Sequence, residues 1–303
     1  MTKMWLFFGM LAVSLWAIDN VIASVLVRCY EKSEITLSWF IGSMQTLFLY
    51  PILVFFYWPR LIIDPYWIAI FFAVGAFSYS GWVLFYYILK RIDTSVSNMA
   101  WAMLAIFVSI GGLIFFKEIW SVLQIVGVVL SLSGVFIISY WHKHVSISRT
   151  LFLLSILGFI NAPYFLVQKA ALLNGINVFA VFLYPFISAS IVAFLIPMFT
   201  RHRSSIFCRC RNLSFWFIFL CSLLSVISAA GFYFISIAYS LAPASLVVMV
   251  ENIQPFLVMF FAWLVSRLIP KYAPKELLTT QSVQVKLVSF CVVFAGLTLL
   301  SMG

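Results

Sequence analysis

Charged residues are scarce in this sequence. They make up 9% of the 303 residues, whereas hydrophobic residues make up 65%. Because a soluble domain is only about half apolar, this composition predicts an all-α integral membrane protein that crosses the bilayer several times. A β-barrel is not expected, since barrel strands give alternating segments of about ten residues rather than continuous apolar runs.

Histidine and cysteine are also rare, at 3 and 5 residues. His142, His144 and His202 fall in predicted loops, and neither H-E-x-x-H nor G-x-S-x-G occurs. Cys208 and Cys210 form a C-x-C pair without the partner motif that a metal site needs. The sequence therefore predicts no enzyme, no catalytic residue, no metal site and no cofactor.

Acidic residues are outnumbered by basic ones, 8 against 18, which gives a net charge of +10. The Lys and Arg residues lie mainly between the apolar runs, where basic residues set membrane topology and contact anionic lipid. The expected partners are therefore membrane lipid and a small-molecule solute, and no nucleic acid is expected.

Ten apolar runs are long enough to be predicted as membrane spans. They cover approximately Met4–Val27, Thr36–Tyr57, Tyr66–Leu89, Thr94–Phe116, Trp120–Tyr140, Thr150–Leu172, Asn177–Phe199, Leu213–Leu241, Pro243–Ser266 and Lys286–Met302. The first run has no small-residue cleavage site after it and is predicted to be a retained helix rather than a signal peptide.

The chain also contains an internal repeat. When it is shifted by 150 residues, Ile88–Phe107 falls on Ala238–Leu257, and Ser95 matches Ser245. Two repeats are predicted, residues 1–145 and 146–303, each with five spans. Because five is an odd number, the two repeats must be inserted with opposite orientations, which is the usual architecture of a secondary transporter.

Three stretches carry a resemblance to a known family. They are Tyr86-Tyr-Ile-Leu-Lys-Arg-Ile-Asp-Thr-Ser, then Phe116-Lys-Glu-Ile-Trp with Gly127 and Gly134 after it, and Gln254-Pro255. In these stretches the chain resembles the EamA branch of the drug/metabolite transporter superfamily. The resemblance implies ten spans in a 5+5 order and a secondary transporter, often an exporter, with a central cavity. It also implies a multi-pass protein of the bacterial inner (plasma) membrane, as a monomer or homodimer.

Glu251 and Asp19 are acids that fall inside predicted spans. A charged side chain at mid-membrane depth costs at least about 2.5 kcal/mol, so it is by default a functional candidate. Pro255 lies four residues beyond Glu251 and is predicted to interrupt the helix there. We expect both acids to bind the solute or to couple transport to protons. The alternative is that each acid is structural and is paired with a Lys or with the backbone.

Other polar and aromatic residues lie at similar predicted depths. The remaining substrate-binding candidates are Trp16, Asn20, Trp82, Tyr86, Asn98, Trp101, Asn161, Tyr164, Tyr233 and Asn252. Pro163 predicts a second broken helix, and broken helices in both halves indicate a transporter site. Lys169 is expected to reach the membrane interface, or alternatively to pair with Asp19 or Glu251.

Two predictions of the orientation of the chain in the membrane conflict. With the ten spans above, one side of the membrane holds only Lys3, Arg60, Lys117 and Lys169, and the other side holds all the remaining Lys and Arg residues. The positive-inside rule then places both termini outside the cytoplasm, whereas the family resemblance implies the reverse. The even number of spans predicts only that both termini share one side.

The sequence as a whole predicts a secondary active transporter, an exporter or exchanger, of small polar or amphipathic metabolites such as amino acids. One alternative is a nucleotide-sugar or phosphate-ester carrier of the same fold, but such a carrier would need cationic side chains in its cavity. Another alternative is a facilitator without ion coupling. Protons are the expected coupling ion.

Overall fold

The computed structural model describes residues 4–31, 33–141, 147–274 and 280–302, and these contain helices and connections but no strand. Ten long helices follow one another along the chain. They are α1 (Met4–Tyr30), α2 (Glu34–Leu61), α3 (Pro65–Arg91), α4 (Thr94–Phe115), α5 (Val122–Trp141), α6 (Ile147–Leu173), α7 (Val178–Phe199), α8 (Phe215–Leu241), α9 (Ala244–Leu268) and α10 (Thr280–Met302). A short helix, Arg203–Cys210, lies between α7 and α8.

Within the described residues, 8 of these helices are long and apolar enough to cross a membrane. The other two, α5 and α10, carry shorter apolar stretches, Val122–Gly134 and Gln281–Gly296. The predicted helical membrane fold is therefore confirmed, and the count of ten spans stays a prediction.

Polar side chains mark the starts of several helices. Asp64 accepts a hydrogen bond from the backbone N–H of Tyr66 at 2.8 Å, and Asn177 accepts one from Phe179 at 2.8 Å. Ser214 does the same at the start of α8. Because the first N–H groups of a helix have no partner within the helix, such caps set where each apolar run begins its helix.

The helices pack in a pattern that repeats after five helices. The main pairs are α1 with α8, α3 with α6, α4 with α6, α1 with α9, α5 with α10, α2 with α7, α4 with α9, and α3 with α7 together with its counterpart α2 with α8. When each helix is replaced by the helix five places before or after it in the chain, the same set of pairs results. This is expected for two halves related by a two-fold axis. The division into repeats 1–145 and 146–303 stays a prediction, which this pattern supports.

Within the described residues, the α-helical geometry of α9 and α4 is interrupted in the first third of each helix, and a π-helical segment, Gln45–Leu49, lies within α2. In α9 the segment Val250–Ile253 is a 3₁₀ turn just before Pro255, as the proline predicted. In α4 the α-helix stops after Ser97 and resumes at Ala100. These breaks lie at nearly corresponding positions of the two halves.

The break predicted at Pro163 is wrong. Helix α6 continues from Ile147 to Leu173 with Pro163 inside it. A proline removes one backbone donor, and neighbouring helices in a membrane protein can accommodate that loss without unwinding. The breaks at nearly corresponding positions of the two halves are therefore in α4 and α9, not in α6 and α9.

Candidate functional site

A central cavity lies among α1, α2, α3, α4, α6, α8 and α9. Its volume is about 80 Å³. The polar lining residues are Trp16, Asp19, Asn20, Gln45, Ser78, Trp82, Tyr86, Trp101, Asn161, Tyr164, Ser228, Glu251 and Gln254. Nine of the twelve residues predicted from the sequence therefore lie on one cavity.

The two acids reach this cavity from different halves of the chain. Asp19 lies on α1 and Glu251 lies in the 3₁₀ turn of α9. Glu251 is only 1% exposed, and its Oε1 has no hydrogen-bonding partner in the described protein. The same holds for Oδ1 of Asp19. Neither acid forms an ion pair among the described residues, so each oxygen is available to a solute or a proton.

Aromatic rings form much of the cavity wall. Trp16 contacts Phe232 and Phe165, with ring centroids 5.0 and 6.4 Å apart. Tyr164 contacts the same Phe232 at 5.4 Å, edge to face. On the other side, Trp101 packs on Phe85 at 5.5 Å. The cavity lining therefore combines the two acids with several aromatic rings.

Two glycines allow helices to approach closely beside this wall. A Cβ atom on Gly81 would lie 2.6 Å from Nδ2 of Asn161, and one on Gly231 would lie 2.5 Å from Nε1 of Trp16. Real Cβ atoms do not approach other atoms so closely, so only glycine fits at either position without movement. Gly81 thus sets the spacing of α3 and α6, and Gly231 sets that of α1 and α8.

Asn98 was predicted to face the solute but does not line the cavity. It is fully buried, and its Oδ1 accepts hydrogen bonds from Nδ2 of Asn20 at 2.5 Å and from Nε1 of Trp101 at 3.1 Å. Its own Nδ2 donates to the carbonyl of Thr94. Asn98 therefore positions two lining side chains, on α1 and on α4, instead of touching the cavity itself.

We expect Asn98→Leu to impair transport, because it leaves the side-chain donors of Asn20 and Trp101 without their acceptor. Each unsatisfied buried donor costs about 1–3 kcal/mol, so thermal stability should fall as well. Asn98→Asp is the matched control, since it keeps the acceptor oxygen and should retain more activity than the leucine variant. Equal uptake by all three proteins would contradict this role.

Tyr233 and Asn252 also lie away from the cavity. The Tyr233 ring packs on Phe179 and Phe182 of α7, at centroid distances of 6.0 and 5.7 Å. Asn252 donates from Nδ2 to Oγ of Ser131 on α5 at 2.9 Å. Successive residues of a helix point about 100° apart, so Asn252 faces another helix although Glu251 faces the cavity.

Lys169 pairs with neither Asp19 nor Glu251, and its position at the membrane interface stays a prediction. It is 8% exposed, and its ammonium group donates to the carbonyls of Tyr239 and Ala242, at 2.9 and 2.8 Å. It therefore caps the C-terminal end of α8, where a cation is favoured by the helix dipole. Arg28 makes the equivalent contacts at the end of α3, to Leu89 and Ile92. These acceptors lie 150 residues before those of Lys169.

Gln254 was missed as a lining residue. It is 1% exposed, and its Oε1 has no partner in the described protein. Its spacing of three residues from Glu251 was the signal that could have found it, because residues three apart share a face. Gln45 of α2 also lines the cavity, and its Oε1 accepts a hydrogen bond from Oγ of Ser190 on α7 at 2.5 Å.

A second group of contacts, the end cluster, joins the ends of helices on one side of the bundle. It consists of Tyr30, Glu31, Arg209, Phe217 and Tyr272. The rings of Tyr30 and Tyr272 stack at 5.9 Å, and Arg209 forms an ion pair with Glu31 at 3.4 Å. The Arg209 guanidinium also lies 4.8 Å from the Phe217 ring centre. These contacts connect the end of α1 to the segments before α8 and after α9.

Comparison with known proteins agrees with this architecture. The model of the EamA-like transporter family matches residues 3–140 and again residues 148–271. The chain belongs to the EamA-like transporter family. It is therefore a membrane transporter of the drug/metabolite transporter superfamily, as its motifs predicted, and a small-molecule solute and a lipid environment follow from that membership. Enzymatic activity is not characteristic of this family.

One solved crystal structure superimposes on the EamA-like chain with a TM-score of 0.67. The superposition covers 100% of this chain and 98% of the other, at 10% sequence identity. At that identity the similarity shows the fold alone. No curated protein sequence matches the chain.

Proposed function

We propose that this protein is a secondary active transporter that moves a small polar or amphipathic solute by alternating access. The observation that carries the proposal is the cavity itself, in which two carboxyl groups from different halves of the chain meet a largely aromatic wall. Charged groups inside a membrane bundle mark solute or ion pathways, because their burial is costly unless it serves a function.

The proposal assigns different parts of the molecule to binding and to movement. Asp19 and Glu251 bind the solute or a proton, and Asn161, Tyr164 and Trp101 shape the cavity. The interrupted helices α4 and α9 supply the positions at which each half can bend. The end cluster must separate when the cavity opens on that side, since it joins the helices that surround the cavity.

The cavity composition bears on the two alternatives. No Lys, Arg or His lines the cavity in the described part of the chain, whereas a phosphate-bearing solute needs such groups. A nucleotide-sugar carrier is therefore the weaker proposal. A facilitator without ion coupling has the same cavity, and only a transport measurement separates it from a coupled transporter.

The test is uptake by proteoliposomes of a mixed panel of amino acids and amines, with and without a pH gradient. We expect accumulation above the external concentration only when the gradient is present. Equilibration without accumulation would establish a facilitator, and the ion-coupling part of the proposal would be withdrawn. No movement of any solute, in vesicles shown to contain folded protein, would contradict the proposed solute class.

A further inference from the structure

Five cavity-lining residues carry a buried polar atom that has no hydrogen-bonding partner in the described protein. These atoms are Trp16 Nε1, Asp19 Oδ1, Tyr164 OH, Glu251 Oε1 and Gln254 Oε1. Four of the side chains, all except Asp19, belong to residues that are at least nine-tenths buried. Since a buried polar group without a partner costs free energy, the presence of five such atoms on residues that line one cavity indicates that a ligand completes them.

The five atoms include more hydrogen-bond acceptors than donors. Asp19, Glu251 and Gln254 offer oxygens that accept, Tyr164 can donate or accept, and Trp16 can only donate. A ligand that satisfies them must donate more hydrogen bonds than it accepts. An ammonium group fits this requirement, because it has three donors, no acceptor and a charge opposite to that of a carboxylate.

The same cavity is poorly suited to an anion. The described protein brings no Lys, Arg or His to its lining. A carboxylate group on the solute would therefore meet no cationic side chain there, and it would lie near two acids. Like charges that face each other across a low-dielectric site repel strongly, so an amino acid meets an unfavourable contact that the corresponding amine avoids.

The aromatic wall favours the same solute. Trp16 and Asp19 are three residues apart on α1 and therefore lie on one face of that helix. A cation held by the Asp19 carboxylate is thus on the same side of α1 as the Trp16 indole. Phe85, Phe165 and Phe232 provide apolar surface for the remainder of the solute.

The size of the cavity limits the solute to a small molecule. One water molecule needs about 10–15 Å³ of cavity volume. A volume of about 80 Å³ therefore corresponds to a handful of water molecules. One ring with a short aminoalkyl chain fits such a space. A nucleotide with an attached sugar does not.

We propose that this cavity binds a small organic cation, an amine with an apolar body, and rejects the amino acid that has the same body. Asp19, the less buried of the two acids, pairs with the ammonium group. This inference rests on the proposed role of the cavity as the solute site. It narrows the solute class from polar and amphipathic metabolites to amines.

Three probes that share a phenyl ring and a two-carbon chain test the inference: phenethylamine, phenylalanine and 3-phenylpropionate. Their binding to the full chain in lipid nanodiscs is measured by calorimetry, with empty nanodiscs as the background. We expect phenethylamine to bind at least about tenfold more tightly than phenylalanine, and 3-phenylpropionate not to bind, given the strength of charge-assisted hydrogen bonds.

Asp19→Asn should weaken phenethylamine binding by about tenfold or more without lowering the melting temperature. Asp64→Asn is the matched control, since Asp64 is an exposed acid at the start of α3 that asparagine can replace as a helix cap. Equal or tighter binding of phenylalanine, or unchanged amine binding by Asp19→Asn, would overturn the inference. Binding by none of the probes would overturn it too.

These outcomes are separable from those of the transport test. Gradient-driven accumulation of phenylalanine would support the proposed transporter and reject the amine inference. Tight binding of phenethylamine without accumulation of any solute would support the amine site and reject the coupled transporter.

Discussion

Replacement of Glu251 by glutamine is expected to abolish pH-driven accumulation of solute while the protein still folds. Glutamine keeps the size of the side chain and an acceptor oxygen, but it cannot take up or release a proton. Because Oε1 of Glu251 has no partner within the described protein, the substitution removes no known contact. We therefore expect a melting temperature that is unchanged or slightly higher, since a buried acid becomes a neutral amide.

The measurement compares two assays in the same vesicles. One is accumulation driven by a pH gradient, and the other is exchange of labelled for unlabelled solute without a gradient. Glu251→Gln should reduce accumulation to the level of protein-free vesicles and leave a measurable exchange rate. Asp64→Asn should behave as wild type in both assays. Full gradient-driven accumulation by Glu251→Gln would assign proton coupling to another group.

The second large effect is expected at Glu118, on the connection between α4 and α5. Its carboxylate accepts hydrogen bonds from the backbone N–H groups of Ala244 and Ser245, at 2.6 and 3.1 Å, and from the Ser245 hydroxyl. Trp120 also donates to that hydroxyl at 2.9 Å. Glu118 thus caps the start of α9 from the other half of the chain, where the helix dipole favours a negative charge.

Glu118→Ala should lower the stability of the protein by about 2–4 kcal/mol, because charge-assisted hydrogen bonds are lost and buried N–H groups are left unsatisfied. We expect the loss to be visible as a lower temperature of half-aggregation in size-exclusion chromatography after heating. Glu118→Gln should fall between the alanine variant and wild type, since it keeps an acceptor without the charge.

Lys117→Gly provides the control for this region. Lys117 has a φ of 52°, in the left-handed region that glycine adopts without a steric penalty. The glycine variant keeps the turn and the Glu118 cap, so its stability should not decrease. An alanine variant of Glu118 as stable as wild type would show that the cap contributes little to holding the halves together.

The sequence was sufficient to predict the membrane fold and both acids of the cavity. Long apolar runs are read directly from composition, and an acid inside such a run stands out because few contexts tolerate it. Asp19 and Glu251 could be found in this way, and so could the interruption of α9 at Pro255. These features depend only on residue type and position along one helix.

The sequence did not predict which neighbouring helix or cavity each side chain faces. Asn98 and Asn252 are amides at the right depth, but each hydrogen-bonds to a side chain of another helix, Asn20 of α1 and Ser131 of α5. The sequence contains no information about which partner satisfies a buried amide, because the partner comes from a distant segment. Lys169 illustrates the same limit, since its acceptors are backbone carbonyls of α8 and carbonyls have no sequence signature.

The caps made by Arg28 and Lys169 bear on how the chain assembles during synthesis. Each cation holds a helix of its own half, so α1 can attach to α3 before the second half has left the ribosome. The contacts of Glu118 with Ser245 and of Asn252 with Ser131 form only after α9 has been inserted. The cap within each half therefore precedes these contacts between the halves, and the cavity is complete only after α9, which carries Glu251, has been inserted.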